Sequence, residues 1–166
     1  AGHSMGSFVT RRYICDYGYE LDGVIVMGTG HQPAPMVFAG KVLADVVRLI
    51  KGDRYRSRLI SKIMFGNYNK RIKNVRGLMN MILYVRKPRN IERIPKNLPM
   101  LMISGLDDPV GEYGKGVYRA YNSYHGHIDD IDLRLYEDCR HELCNELNKE
   151  EIYEEIYGWI VDHMNK

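Results

Sequence analysis

The chain of 166 residues is 45% hydrophobic, enough to bury one sizeable core, and nothing in its size forces two domains. Its 24 basic and 21 acidic residues leave a formal net charge of +3, a nearly balanced surface that argues against nucleic acid as a partner. Cys15, Cys139 and Cys144 are odd in number and lack a C-x-x-C spacing, which argues against a disulfide framework or zinc site and for a reducing, cytoplasmic compartment; no apolar run approaches the roughly 18 residues that span a membrane.

Gly2-His3-Ser4-Met5-Gly6 stands at the start of the chain. A G-x-S-x-G pattern places its serine on a sharp turn between a buried strand and a helix, with small residues two before and two after because bulkier ones collide in so tight a bend. Taken alone, five such residues also suit an ordinary turn. The context that follows favours the sharper reading: Phe8, Val9, Tyr13 and Ile14 form an apolar face at helical spacing, and Gly18 supplies a left-handed stop. Leu21 to Met27 then reads as a short, mostly β-branched buried strand that ends in a glycine turn.

Pro33 and Pro35 precede an amphipathic helix carrying Val37, Phe38, Val42, Leu43, Val46, Val47 and Ile50, stopped by Gly52. A second helix is expected over Arg54 to Met64 and a third, Met-rich one over Gly77 to Val85. Three helices exceed what a crossover between two parallel strands requires, so residues 32–87 read as an inserted helical cap. The locally basic run from Arg54 to Lys73 reads as solvated helix and loop faces, with an anionic membrane surface or substrate head group as the alternative.

The chain returns through Pro95 and Pro99 to an apolar strand, Met100 to Ile103, that breaks into a Gly-Asp-Pro turn. A helix over "EYGKGVYRAYNSY", a strand over "IDLRLYEDCRHE" and a closing amphipathic helix from Glu150 to Met164 complete the pattern. This alternation argues an α/β fold with a mostly parallel sheet covered by helices on both faces.

In open parallel sheets ligands bind beyond the carboxyl ends of the strands, so the polar residues there are the ones to collect. They are Ser4, then Asp107 and Asp108, then His141: a nucleophile, an acid and a base. Either aspartate also suits the cap of a helix beginning near Val110, and His141 suits an ordinary loop; order and placement together favour chemistry. His3 and His31 read as supporting or pocket-lining residues. His125 and His127 lie near Asp129, Asp130 and Asp132, but at the opposite edge from the strand ends, so this stretch reads as a solvated turn and no metal or other cofactor is expected.

"GHSMGSFVTRRY", "PMLMISGLDDPVG" and "RHELCNE" followed by "EEIYEEIYGWI" together resemble the bacterial serine hydrolases of the monoacylglycerol lipase and lysophospholipase type, within the α/β-hydrolase superfamily. The resemblance covers nearly the whole chain. It implies Ser4 as nucleophile, Asp108 rather than Asp107 as the acid because it stands third after Gly105, and His141 as base. It further implies the Met5 N–H as one donor of an oxyanion hole and Val110 as a substrate contact. Its implied partner is a small lipid-like ester, with transient contact at a membrane surface.

Members of that family begin with further strands, including the one leading into the serine turn, so the N-terminal strands are expected to be missing. The cap also reads as short at Arg76-Gly77. The whole of 1–166 is then one incomplete α/β-hydrolase domain, with core segments 1–31 and 88–166, and an apolar sheet edge that invites self-association. A short-chain esterase or thioesterase is the second reading, and a catalytically silent fragment that only binds a partner or ligand is the third.

Overall fold

The computed structural model describes residues 1–51 and 75–164. In chain order these form β1 (Gly2–His3), α1 (Met5–Tyr17), β2 (Val24–Met27), α2 (Ala34–Lys51), α3 (Val75–Val85), α4 (Pro88–Ile91), β3 (Met100–Gly105), α5 (Lys115–His125), β4 (Ile131–Tyr136) and α6 (Lys149–Met164). The four strands make one sheet whose spatial order is the chain order, and every pairing is parallel. All four carboxyl ends therefore lie along the same edge.

β3 is buried along its whole length and apolar at four successive positions, as a strand covered on both faces must be. Successive side chains of a strand point to opposite faces. Val24, Val26, Met100 and Met102 accordingly pack with Ile14 and Cys15 of α1 and with Ala120 and Tyr124 of α5. Ile25, Leu101 and Ile103 turn the other way, onto Ile152, Trp159 and Ile160 of α6. A third cluster sets α2 and α3 on α1: Val37, Ala44, Leu78, Met79 and Ile82 surround Phe8 and Val110.

The differences from the sequence reading have local causes. Gly18 is right-handed, with φ −60° and ψ −27°, because a 3₁₀ turn over Gly18–Glu20 carries the chain out of α1 without a left-handed residue. That turn also delays the strand, which starts at Val24 rather than Leu21. Val9 and Tyr13, expected on the apolar face of α1, are exposed, and the buried face consists of Ser7, Phe8, Arg11, Ile14 and Cys15. α4 was not anticipated; Pro88 at its start has the fixed φ that suits a first helical position. Arg76-Gly77 falls within α3, while the helix expected over 54–64 and the basic run to Lys73 lie outside the described residues. No helix among the described residues is long and apolar enough to cross a membrane.

Ile103 is completely buried between the sheet and α6, whereas Leu147 is fully exposed. Ile103→Ala is expected to lower unfolding free energy by about 2–5 kcal/mol in urea titrations, and Leu147→Ala to stay within about 0.5 kcal/mol of the parent.

Candidate active site

The site begins with a backbone irregularity. Ser4, between β1 and α1, has φ 56° and ψ −121°. A non-glycine residue held there costs on the order of 1–3 kcal/mol and persists only where its surroundings over-determine it. Here the Ser4 N–H donates to the Met27 carbonyl at 3.0 Å, extending the β1–β2 ladder by one rung, and the Ser4 carbonyl accepts the Ser7 N–H at 3.0 Å and the Ser7 hydroxyl. The Met5 N–H opens α1 directly beside Ser4, in the first turn, where helical N–H groups lack intrahelical partners.

The two glycines of the pattern are not equivalent. A Cβ on Gly2 would collide with the Thr10 hydroxyl and lie 2.5 Å from the Gly6 carbonyl oxygen, whereas a Cβ on Gly6 would meet nothing within 4 Å. The expectation that both flanking positions must be small for lack of room therefore holds only for Gly2.

Ser4, His141 and Asp108 come together in one hydrogen-bonded chain. His141 Nε2 is 2.8 Å from Ser4 Oγ, and His141 Nδ1 is 2.8 Å from Asp108 Oδ2. A carboxylate only accepts, so Nδ1 carries the proton and Nε2 is left to accept the Ser4 hydroxyl. Asp108 is wholly buried; its Oδ1 accepts the Val110 N–H at 2.8 Å, and Ser104 Oγ lies 3.5 Å from its Oδ2. Asp107 has an exposed side chain and contributes its backbone N–H to the Cys139 carbonyl at 2.9 Å. Neither aspartate caps a helix near Val110. Glu112, Tyr113 and Gly114 all have positive φ, and this left-handed turn postpones α5 to Lys115.

Close backbone approaches seat the His141 ring. Gly28, at φ 55°, lies under it: a Cβ there would stand 3.1 Å from the ring Cε1 and 3.2 Å from Nδ1. At the end of β3, a Cβ on Gly105 would collide with the Cys139 carbonyl in the loop that carries His141. His3 donates from Nε2 to the His141 carbonyl at 2.8 Å, with the two rings 4.9 Å apart.

The remaining predicted residues divide. Val110 is buried in the cluster that joins α2 and α3 to α1, beside Phe8 and Val37, with its backbone tied to Asp108. His31 lies among charges: burial, then the Arg11, Arg86 and Arg119 guanidiniums, push its imidazole down to about 3. His127 bonds the Ile94 carbonyl, and Asp130 and Asp132 pair with His163 and Trp159. Among the described residues no group of three or more His, Cys, Asp or Glu side chains is placed to hold a metal ion. A cleft of about 380 Å³ between β4 and α6, lined by Tyr136, Glu155, Trp159 and His163 among others, includes none of the Ser4, His141 or Asp108 side chains. Sequence reasoning overlooked Arg11. Its signal was its place on the same helical face as Phe8, Ile14 and Cys15, where a charge is out of keeping.

No protein-family model and no curated protein matches the chain. Solved structures do. A thermostable carboxyl esterase from Bacillus coagulans, in complex with glycerol, is 24% identical with a TM-score of 0.67, over 99% of this chain and 63% of its own. A monoacylglycerol lipase from Paleococcus ferrophilus is 19% identical with a TM-score of 0.68, over 98% of this chain and 67% of its own. A soluble variant of monoglyceride lipase from Saccharomyces cerevisiae, in complex with a substrate analogue, is 18% identical with a TM-score of 0.71, over 98% of this chain and 64% of its own. The fold is therefore the α/β-hydrolase fold, and the chain spans somewhat under two thirds of the length of the esterase and the yeast lipase.

The unequal room at the two glycines is open to a direct check. Gly2→Ala should destabilise the protein in denaturant titrations, because its Cβ has no space. Gly6→Ala, inside α1 with open space, should leave stability unchanged or raise it by up to about 1 kcal/mol through helix propensity.

Proposed function

We propose that this α/β-hydrolase-fold chain belongs to a serine hydrolase that cleaves carboxylic esters of lipid-like substrates through an acyl-enzyme. The single observation that carries the reading is the continuous chain from Ser4 Oγ through His141 to the buried Asp108, with both hydrogen bonds at 2.8 Å. A serine hydroxyl is a weak nucleophile unless an adjacent base takes its proton, and the base needs a carboxylate to hold its tautomer and stabilise its charge.

Ser4 Oγ attacks the ester carbonyl while its proton passes to His141 Nε2. The negative oxygen that develops is held by backbone N–H groups, the Met5 N–H among them. Collapse of the tetrahedral species breaks the bond to the alcohol, which leaves with the proton from His141 Nε2. Water then attacks the acyl-enzyme, giving its proton to the same nitrogen, and the acid departs as Ser4 recovers its hydrogen. Asp108 stays ionised throughout, accepting from Nδ1–H.

The substrate class rests on the cap-side apolar surface and on the fold shared with an esterase and with monoacylglycerol lipases. We assign the cap to residues 32–87 and the core to 1–31 and 88–166 of one domain. Val110 and its cluster form the floor of the acyl site, and the exposed Phe38, Val42 and Val46 of α2 suit an acyl chain or passing contact with a lipid surface. A monoacylglycerol or lysophospholipid meets these requirements. The two-residue edge strand β1 supports pairing with further polypeptide along that edge.

A fluorophosphonate should label Ser4, and Asp108→Asn should cut ester turnover by about 10⁴, since an amide favours the wrong imidazole tautomer. Asp107→Asn should leave turnover nearly unchanged; the reverse ranking, read by stopped assays on p-nitrophenyl esters, would dismiss the acid assignment.

Catalytic efficiency on glycerol monoesters should rise with acyl length from two to eight carbons, by up to about fourfold per methylene if each is fully buried. A profile that peaks at acetate would instead favour the short-chain esterase or thioesterase reading.

A further inference from the structure

Three arginines from separate parts of the chain reach three consecutive backbone carbonyls. Arg11 of α1 donates from Nη1 to Gly30 at 2.9 Å, Arg119 of α5 from Nε to His31 at 2.8 Å, and Arg86, just past α3, from Nη1 to Gln32 at 3.0 Å. We propose that Arg11, Arg86 and Arg119 are positioning residues that clamp the segment after β2 and thereby keep His141 and Asp108 in reacting register. The catalytic consequence rests on the hydrolase reading above.

The clamped segment lies against the His141 ring and reaches Asp108 through Val110. Gly28 forms the bed of the His141 ring. Two residues on, a Cβ on Gly30 would lie 2.7 Å from the Val110 carbonyl oxygen, and Gln32 donates from Nε2 to that same carbonyl at 3.3 Å. Val110 in turn donates its N–H to Asp108. A shift of residues 28–32 would thus move the support of the base and the residue that orients the acid together.

The charge is costly where it stands. Arg11 is 1% exposed, lies 5.4 Å from the Phe8 ring centre and 5.3 Å from that of Tyr124, and is paired with no carboxylate among the described residues. A position that needed only volume would be better filled by leucine or methionine, because an unpaired buried cation carries a large desolvation cost. What the guanidinium supplies is directed donation, to the Tyr124 hydroxyl, the Thr29 hydroxyl and the Gly30 carbonyl. Two further cations converge on the next two carbonyls despite mutual repulsion, and Glu112 pairs with Arg119. The segment also runs directly into α2, so the clamp isolates the bed of His141 from displacement of the cap helix.

Arg11 is too deeply buried for a clean substitution, so the test uses Arg86→Met, Arg119→Met, their double variant and the two lysine versions, with Glu112→Gln as a control that removes the ion pair and keeps the donation. Three readouts are followed: the low-field ¹H signal of the His141 Nδ1–H, the fluorophosphonate labelling rate of Ser4 per folded molecule, and the melting midpoint. Each methionine variant should broaden the signal and slow labelling about tenfold, the order expected for a lost charge-assisted hydrogen bond. The double variant should lose less than the product of the single effects, since both act through one segment, and lysine should restore part of each loss. Glu112→Gln should leave signal and rate intact. Lower midpoints with an unchanged signal and rate would overturn the proposal, as would a parent protein without the low-field signal. A parent whose signal responds as described while Ser4 stays unlabelled would uphold the clamp and dismiss the hydrolase reading.

Discussion

A single rung of parallel sheet carries the site: the Ser4 N–H bonded to the Met27 carbonyl at 3.0 Å. β1 is only two residues long, yet this rung and the bonds from Ser7 hold Ser4 at a positive φ that an unsupported serine would leave. The strained turn reverses the chain so sharply that the hydroxyl stands above the strand ends while α1 starts at the next residue. Without it, the serine would lie along the helix or the strand and would not meet a group from β3 or β4.

Parallel pairing then does the assembling. Because β1 to β4 all point one way, the residues that follow them emerge together, and loops distant in sequence deliver Ser4, Asp108 and His141 to one place. The buried carboxylate is tolerable because its oxygens are occupied: Val110 N–H on one, His141 on the other, with Ser104 nearby. Burial excludes water that would weaken the pair, and the bonds offset what burial costs. Glycine enters where backbone must approach side chain, with Gly28 beneath the imidazole and Gly105 against its loop.

The helices divide the remaining work. α1 and α5 cover one face of the sheet and α6 the other, each through side chains one strand position apart. α2 and α3 rest on Phe8 of α1 and on Val110, so these two helices and the loop that carries Asp108 share one apolar cluster. The outer surface of α2 stays apolar and exposed at Phe38, Val42 and Val46.

Local chemistry was legible in the sequence. The turn at Ser4, the buried strands and the helix between Pro35 and Gly52 follow from motif, propensity and periodicity, and the rule that parallel sheets work at their carboxyl ends collects Ser4, Asp107, Asp108 and His141; their order as nucleophile, acid and base matches a known pattern. The choice between Asp107 and Asp108 was reachable only by resemblance; geometry distinguishes them, one exposed and one sealed against His141. The right-handed Gly18, the exposure of Val9 and Tyr13, and the left-handed turn at Glu112 and Tyr113 were hidden, because each depends on what packs beside it rather than on the residue itself. So was the convergence of Arg11, Arg86 and Arg119 on one segment, since no spacing in a chain encodes which distant carbonyl a side chain will meet. Residue types and their local periods determined which groups and elements this protein has; only the closing of the sheet decided which of them touch, because contact is a property of distances that folding sets.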